Sequence, residues 1–315
     1  MAAELLKIDY QTSMVVLDRL TIVTPLGVRF QDATTGEVVP DGLTVSAYPI
    51  TRPNARQSLF LNRRGVYVLR HAPGLRDVEN GAGDPDYWNN LPPKKDFVIE
   101  VRDGQSRFVP YQFVVGLPAE WNEAVSPPPA IKSMPLYSAP ARTAPAGMAV
   151  VRADLWDPTQ GDDGEVAPSA VLELYDNNDQ LIARGIADEL GKIALLFPYP
   201  APRSFAVASP PGSPLSSPPV ATTPALTDQV WTFQVRAFYA SELQSPPQTS
   251  TENSLPDLNA VLAQPEAKLW ADEARTEELQ EVAVQFGQPL ILKSRPPSMS
   301  PPTKGGSMLF ITPAV

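Results

Sequence analysis

Apolar positions recur along this chain with a period of two, in short runs broken by glycine, proline and Asx residues. That spacing belongs to strands with one buried face. Residues 13 to 30 read as strand: Met14-Val15-Val16-Leu17 and Leu20-Thr21-Ile22-Val23 are rich in β-branched side chains, and Val28-Arg29-Phe30-Gln31 alternates. Leu43 to Tyr48 follows, then Leu59-Phe60-Leu61 and Val66 to Leu69 on either side of the turn Asn62-Arg63-Arg64-Gly65. Phe97 to Val101 and Phe108 to Val115 flank Asp103-Gly104, a hairpin signal, with Pro110 pushing the second run toward an edge or bulge. Further strands are predicted at Met148 to Leu155, Leu181 to Ala183, Ile193 to Pro198 and Val230 to Arg236, with strand-like runs at Leu290 to Leu292 and Met308 to Ile311. One segment departs from this period. From Pro265 to Val282, Ala267, Trp270, Ala271 and Ala274 share a face at helical spacing, Pro265 suits a first helical position, and a helix over 265–282 is predicted.

A short pattern occurs twice. Gly36-Glu37-Val38-Val39-Pro40 leads into Leu43 to Tyr48, and Gly164-Glu165-Val166-Ala167-Pro168 leads into Ala170 to Tyr175. Phe233-Gln234-Val235-Arg236 echoes Ile99-Glu100-Val101-Arg102 in the same way. Repetition at this distance points to tandem domains of one kind. Between the copies, residues 118–147 carry Pro127-Pro128-Pro129 and few apolar runs, and read as a semi-rigid linker. The expected layout is a first β-sandwich over 1–117, the linker over 118–147, and a second sandwich over 148–315. That second sandwich carries a Pro/Ser-rich insertion at 209–224 and the 265–282 helix.

Composition narrows the function classes. The 315 residues, 43% of them hydrophobic, suffice for two real cores, while 37 prolines is roughly twice the usual share of about 5%. Long helices are therefore scarce. A net charge of −10 argues against nucleic acid, which requires clustered Lys and Arg. No cysteine is present, so disulfides and thiolate metal sites are excluded. The start shows no basic and apolar leader, and no run approaches a membrane span. The expectation is a cytoplasmic protein without signal peptide or transmembrane segment.

Gly65-Val66-Tyr67-Val68-Leu69 with Pro73-Gly74, and Gly191-Lys192-Ile193-Ala194-Leu195 with Pro198, set a turn glycine before an alternating run and a proline. Together with the repeated Gly-Glu-Val turn, these residues resemble the carboxypeptidase regulatory-like domain, over about 20–117 and 147–240. The resemblance implies seven-stranded sandwiches of the transthyretin or Ig-like type. Related pilin and adhesin repeats carry an internal isopeptide bond from a strand lysine. Arg29 and Gln31 stand at the corresponding places, so that bond is not carried over. A cysteine-free, proline-rich chain with two such sandwiches is also similar to accessory structural proteins of phage tail-like contractile injection systems.

Candidate chemistry is sparse. His71 is the single histidine and no Gly-x-Ser-x-Gly elbow exists, so a hydrolytic triad has no material. Asp157, Asp162, Asp163 and Glu165 share one loop, and oxygen-rich loops can hold Ca²⁺, but EF-hand spacing is absent. Gly81-Ala82-Gly83-Asp84-Pro85-Asp86 lacks the third glycine of a dinucleotide loop. Tyr87, Trp88 and Trp121 lie in or beside loops, where exposed rings anchor partners or stack on sugars. The expectation is an all-β, non-catalytic structural or adaptor protein without cofactor or metal. Its partners would be other subunits of an assembly, such as tail-terminator, sheath or tube proteins, and it would be homo-oligomeric within the particle. Candidate contacts are Asp84, Asp86, Tyr87, Trp88 and Trp121, and as segments the 77–95 loop, the 118–147 arm and the 209–224 insertion. The alternative is a carbohydrate- or cell-surface-binding module built on Tyr87 and Trp88.

Overall fold

The computed structural model describes residues 24–75, 93–117, 131–161, 164–201, 225–241, 255–295 and 308–313. The first unit comprises β1 (Leu26–Asp32), β2 (Leu43–Pro49), β3 (Gln57–Ser58), β4 (Phe60–Leu61), β5 (Tyr67–Leu69), β6 (Lys95–Asp103), β7 (Tyr111–Leu117) and β8 (Ile131–Leu136). They form two four-stranded sheets, ordered β4-β5-β1-β8 and β3-β2-β6-β7. The alternation of β1 buries Leu26, Val28 and Phe30, which meet Val45, Phe97, Ile99 and Phe113 from the other sheet in one apolar cluster. The β6–β7 hairpin foreseen around Asp103-Gly104 is present, with Lys95 opposite Leu117 and Val101 opposite Tyr111.

The second unit comprises β9 (Met148–Asp157), β10 (Glu165–Val166), β11 (Val171–Tyr175), β12 (Leu181–Ile186), β13 (Lys192–Pro198), β14 (Val230–Phe238), α1 (Leu258–Leu262), β15 (Glu266–Trp270), β16 (Glu281–Gln285), β17 (Leu290–Leu292) and β18 (Leu309–Pro313). β9 organises it. Its Met148–Asp154 stretch pairs antiparallel with β13, and β17 lies parallel along Val151–Ala153. Its far end pairs with β10 and β18. From there the sheet runs β18-β15-β14-β11-β12. β14 turns Trp231, Phe233, Val235 and Ala237 inward at period two, and Phe233 packs edge-on against Phe197 at 5.2 Å.

The repeated turn is a repeated structure. Asp32 Oδ1 accepts the Thr34 amide at 2.8 Å, and Asp157 Oδ1 accepts the Thr159 amide at 2.8 Å. Both aspartates are buried. The chain then turns at Gly36 (φ 72°) and Gly164 (φ 74°), a left-handed conformation suited to glycine. It returns beside its own strand: Val39 donates to Phe30 O, and Ala167 donates to Leu155 O.

Two expectations need correction. Residues 265–282 are not a helix: they hold β15, a loop and the start of β16, and the short helix α1 lies just upstream. Glu266-Ala267-Lys268-Leu269 fits both periods. The open lane between β14 and β18 selects the strand, burying Ala267, Leu269 and Ala271 at period two. The helix falls where Asp257 caps it, accepting the Asn259 amide at 2.8 Å and the Ala260 amide at 3.1 Å. Nor is 118–147 wholly a linker. Its Ile131–Leu136 stretch is β8, parallel to β1 from Gly27 opposite Ile131 to Asp32 opposite Leu136. Met134 and Leu136 belong to the first core. β8 lies at the end of its sheet, where Pro135 costs no ladder bond. The expected strand ahead of residue 24, the 209–224 insertion and residues 118–130 lie outside the described residues.

Candidate functional site

The two units meet along a cleft of about 920 Å³. Its first wall is the β6–β7 turn, where Arg107 donates to the Asp103 carboxylate through its backbone amide at 2.6 Å and its Nε at 3.1 Å. Burial pushes the Asp103 carboxyl up, but these bonds and the guanidinium charge outweigh it and hold the group below its ordinary value. Phe108 forms the floor, with the Arg107 guanidinium 5.4 Å and that of Arg142 4.8 Å from its ring centre.

The opposite wall is the β12–β13 turn. Asp188 Oδ1 accepts the amides of Leu190 and Lys192, each at 2.9 Å. Gly191 permits the close approach of this turn to β9, since a Cβ there would stand 2.6 Å from Leu155 O. The turn offers Glu189 and a 57% exposed Leu190 to the cleft. Pro110, Pro140, Pro168 and Pro256 complete its stiff apolar rim.

Beneath the cleft the units are joined. Val171 and Ile186 of the second unit, with Leu258 and Val261 of α1, share one apolar cluster with Phe108 and Tyr111. The backbone N–H of Gln112 donates to Pro256 O at 2.9 Å. The side chain of Gln264 donates to Ser169 O at 2.8 Å and Val261 O at 2.9 Å, and accepts the Ala240 amide at 2.9 Å. Arg142 clamps the connection. It grips Asp32 with Nη1 on Oδ1 at 3.1 Å and Nη2 on Oδ2 at 2.5 Å, while its own carbonyl accepts Arg152 Nη2 at 2.9 Å. Burial raises the Asp32 carboxyl, yet the Arg142 and Thr34 donors prevail and lower it.

Each unit also carries a buried glutamate tied to an arginine and a tyrosine. Glu100 accepts Tyr48 Oη at 3.0 Å and Arg56 Nη2 at 2.8 Å. Glu173 accepts Tyr175 Oη and, at 2.5 Å, Arg184 Nε. Burial first, then the Glu100 charge, pushes the Tyr48 phenol up to about 12. These groups are saturated with partners, which suits fixing sheets rather than moving protons.

Asp84, Asp86, Tyr87, Trp88 and Trp121 lie outside the described residues, as do Asp162 and Asp163. Glu165 begins β10, while Asp157 is fully buried and spends Oδ1 on its own turn. Among the described residues no three His, Cys, Asp or Glu side chains are placed to share a metal ion. His71 is an exposed residue just beyond β5 with φ 55°, away from the cleft lining. The sequence reading missed Arg142, Phe108 and Gln264. Asp32 and Arg142 stand 110 residues apart, and no local pattern marks the pair.

No protein-family model matches this chain, and no curated protein does. Among solved structures, the Bacillus anthracis TIE protein is matched with a TM-score of 0.21 and 9% identity. The match covers 83% of this chain and 44% of that one, so this chain spans under half of that protein's length. A likeness so slight passes nothing of that protein to this one.

Proposed function

We propose that this chain is a non-catalytic structural or adaptor component of a larger protein assembly. The supporting observation is the join between the units: one apolar cluster running from the first sandwich through α1 into β11 and β12, clamped by the buried Arg142–Asp32 pair. Such a join fixes the relative orientation of two sheet systems, which is what a subunit that sets geometry for its neighbours requires. The lining of the cleft agrees, because it offers prolines, Phe108 and Leu190 with charges of both signs around them, the makeup of a protein contact. The assembly that the sequence resemblance points to is a phage tail-like contractile injection system, with this chain as a cap, tail-terminator or baseplate-associated subunit.

The test is native purification of the tagged protein from its source, followed by negative-stain electron microscopy of the heaviest fraction. Rod- or ring-shaped particles carrying the protein are expected. A small monodisperse species without partners overturns the proposal.

A further inference from the structure

The outer face of the β4-β5-β1-β8 sheet differs from the rest of this acidic chain. Phe60 on β4 stands opposite Val68 on β5, facing away from the core to which Tyr67 and Leu69 belong, and is 58% exposed. Val38 bridges to Gln31 beside β1 on the same face and is 39% exposed. Arg29, between inward Val28 and Phe30, lies on this face; the exposed Arg63 and Arg64 lie in the β4–β5 turn, whose Gly65 adjoins Val38, and the exposed Arg70 follows β5. Among the described residues none of these four arginines is in an ion pair, although six other arginines are. The Nε of Arg29 is buried and lacks an acceptor. The exposed Glu37 precedes Val38.

Exposed apolar side chains beside arginines that make no ion pair among the described residues, on a protein of net charge −10, suit a contact surface with a defined complement. We propose that this face docks an acidic segment of a partner protein, with apolar residues between its carboxylates; this rests on the assembly role proposed above. Carboxylates would take the guanidinium forks, and apolar side chains would cover Phe60 and Val38. Four arginines on an acidic body make a poor match for a nucleic-acid backbone. A second copy meeting this face two-fold would set arginine against arginine.

The probe is a fluorescein-labelled peptide of alternating glutamate and valine, titrated with the full-length protein and read by anisotropy. A peptide of alternating lysine and valine is the control. Binding of the acidic peptide alone is expected, weakening as salt rises. Arg63→Glu/Arg64→Glu and Phe60→Ser should each weaken it about tenfold or more, with the thermal midpoint unchanged because all three positions are exposed. No binding, equal binding of the lysine peptide, or no loss in the double variant overturns the proposal. So does tighter binding of a thymidine oligonucleotide, or a dimer in sedimentation that the double variant abolishes. If particles form and incorporate the double variant at the wild-type level, this surface falls while the structural role stands. If no particles form, the structural role falls and the peptide titration still decides whether the face binds acid.

Discussion

At the scale of single residues, the decisive group is Arg142. Its side chain is 11% exposed and that of Asp32 is 6%, so the pair is held in a poorly solvated place. Removing one member of such a pair strands the other's charge, which costs about 3–5 kcal/mol. Arg142→Ala should therefore lower the urea midpoint markedly at neutral pH. The loss must also depend on pH with a definite sign. In the folded chain the Asp32 carboxyl is lowered below its ordinary value, so the unfolded chain binds the proton first as pH falls. The contribution is complete above the unfolded value of about 3.9 and drains away as pH drops through the folded one. The gap between wild type and Arg142→Ala should shrink in acid. A gap that widens there contradicts this role for Arg142.

Among the elements, β15 shows how local preference yields to tertiary demand. A helix over 265–282 would bury Ala267, Trp270, Ala271 and Ala274, whereas the strand buries Ala267, Leu269 and Ala271 and leaves Ala274 exposed. The two readings diverge at Leu269 and Ala274. Leu269→Ala should cost about 2–5 kcal/mol through its cavity, and Ala274→Glu should stay within about 0.5 kcal/mol. Chemical denaturation of both variants checks this; the reverse order would restore the helix. β8 holds the same lesson. Its Met134 and Leu136 point to the core at period two, but Pro135 between them and the proline run before it look like linker until β1 supplies a parallel partner. The repeated turn, by contrast, was legible. Its glycine, the Glu-Val that follows and its proline are all local, and both copies fold back on their own strand.

For the whole molecule, the question is whether two units behave as one. Each has its own core, but the first core extends through α1 into β11 and β12. A single calorimetric transition is expected of the intact chain. Val261→Asp places a charge at a 4% exposed position in that bridge and should split the transition in two while each unit keeps its strands. One undivided transition at an unchanged midpoint would show that the bridge does not couple the units.

Composition and periodicity by themselves determined that this is an all-β chain, where most strands lie, and that the Gly-Glu-Val turn is used twice. These are properties of neighbouring residues, set by turn conformations and by the two-residue alternation of a half-buried strand. Tertiary structure alone decided the partners: β8 beside β1, β15 between β14 and β18, Arg142 on Asp32, and α1 between the units. Each joins residues far apart in the chain, where one sequence is compatible with many pairings. The shared burial of distant apolar faces selects among them.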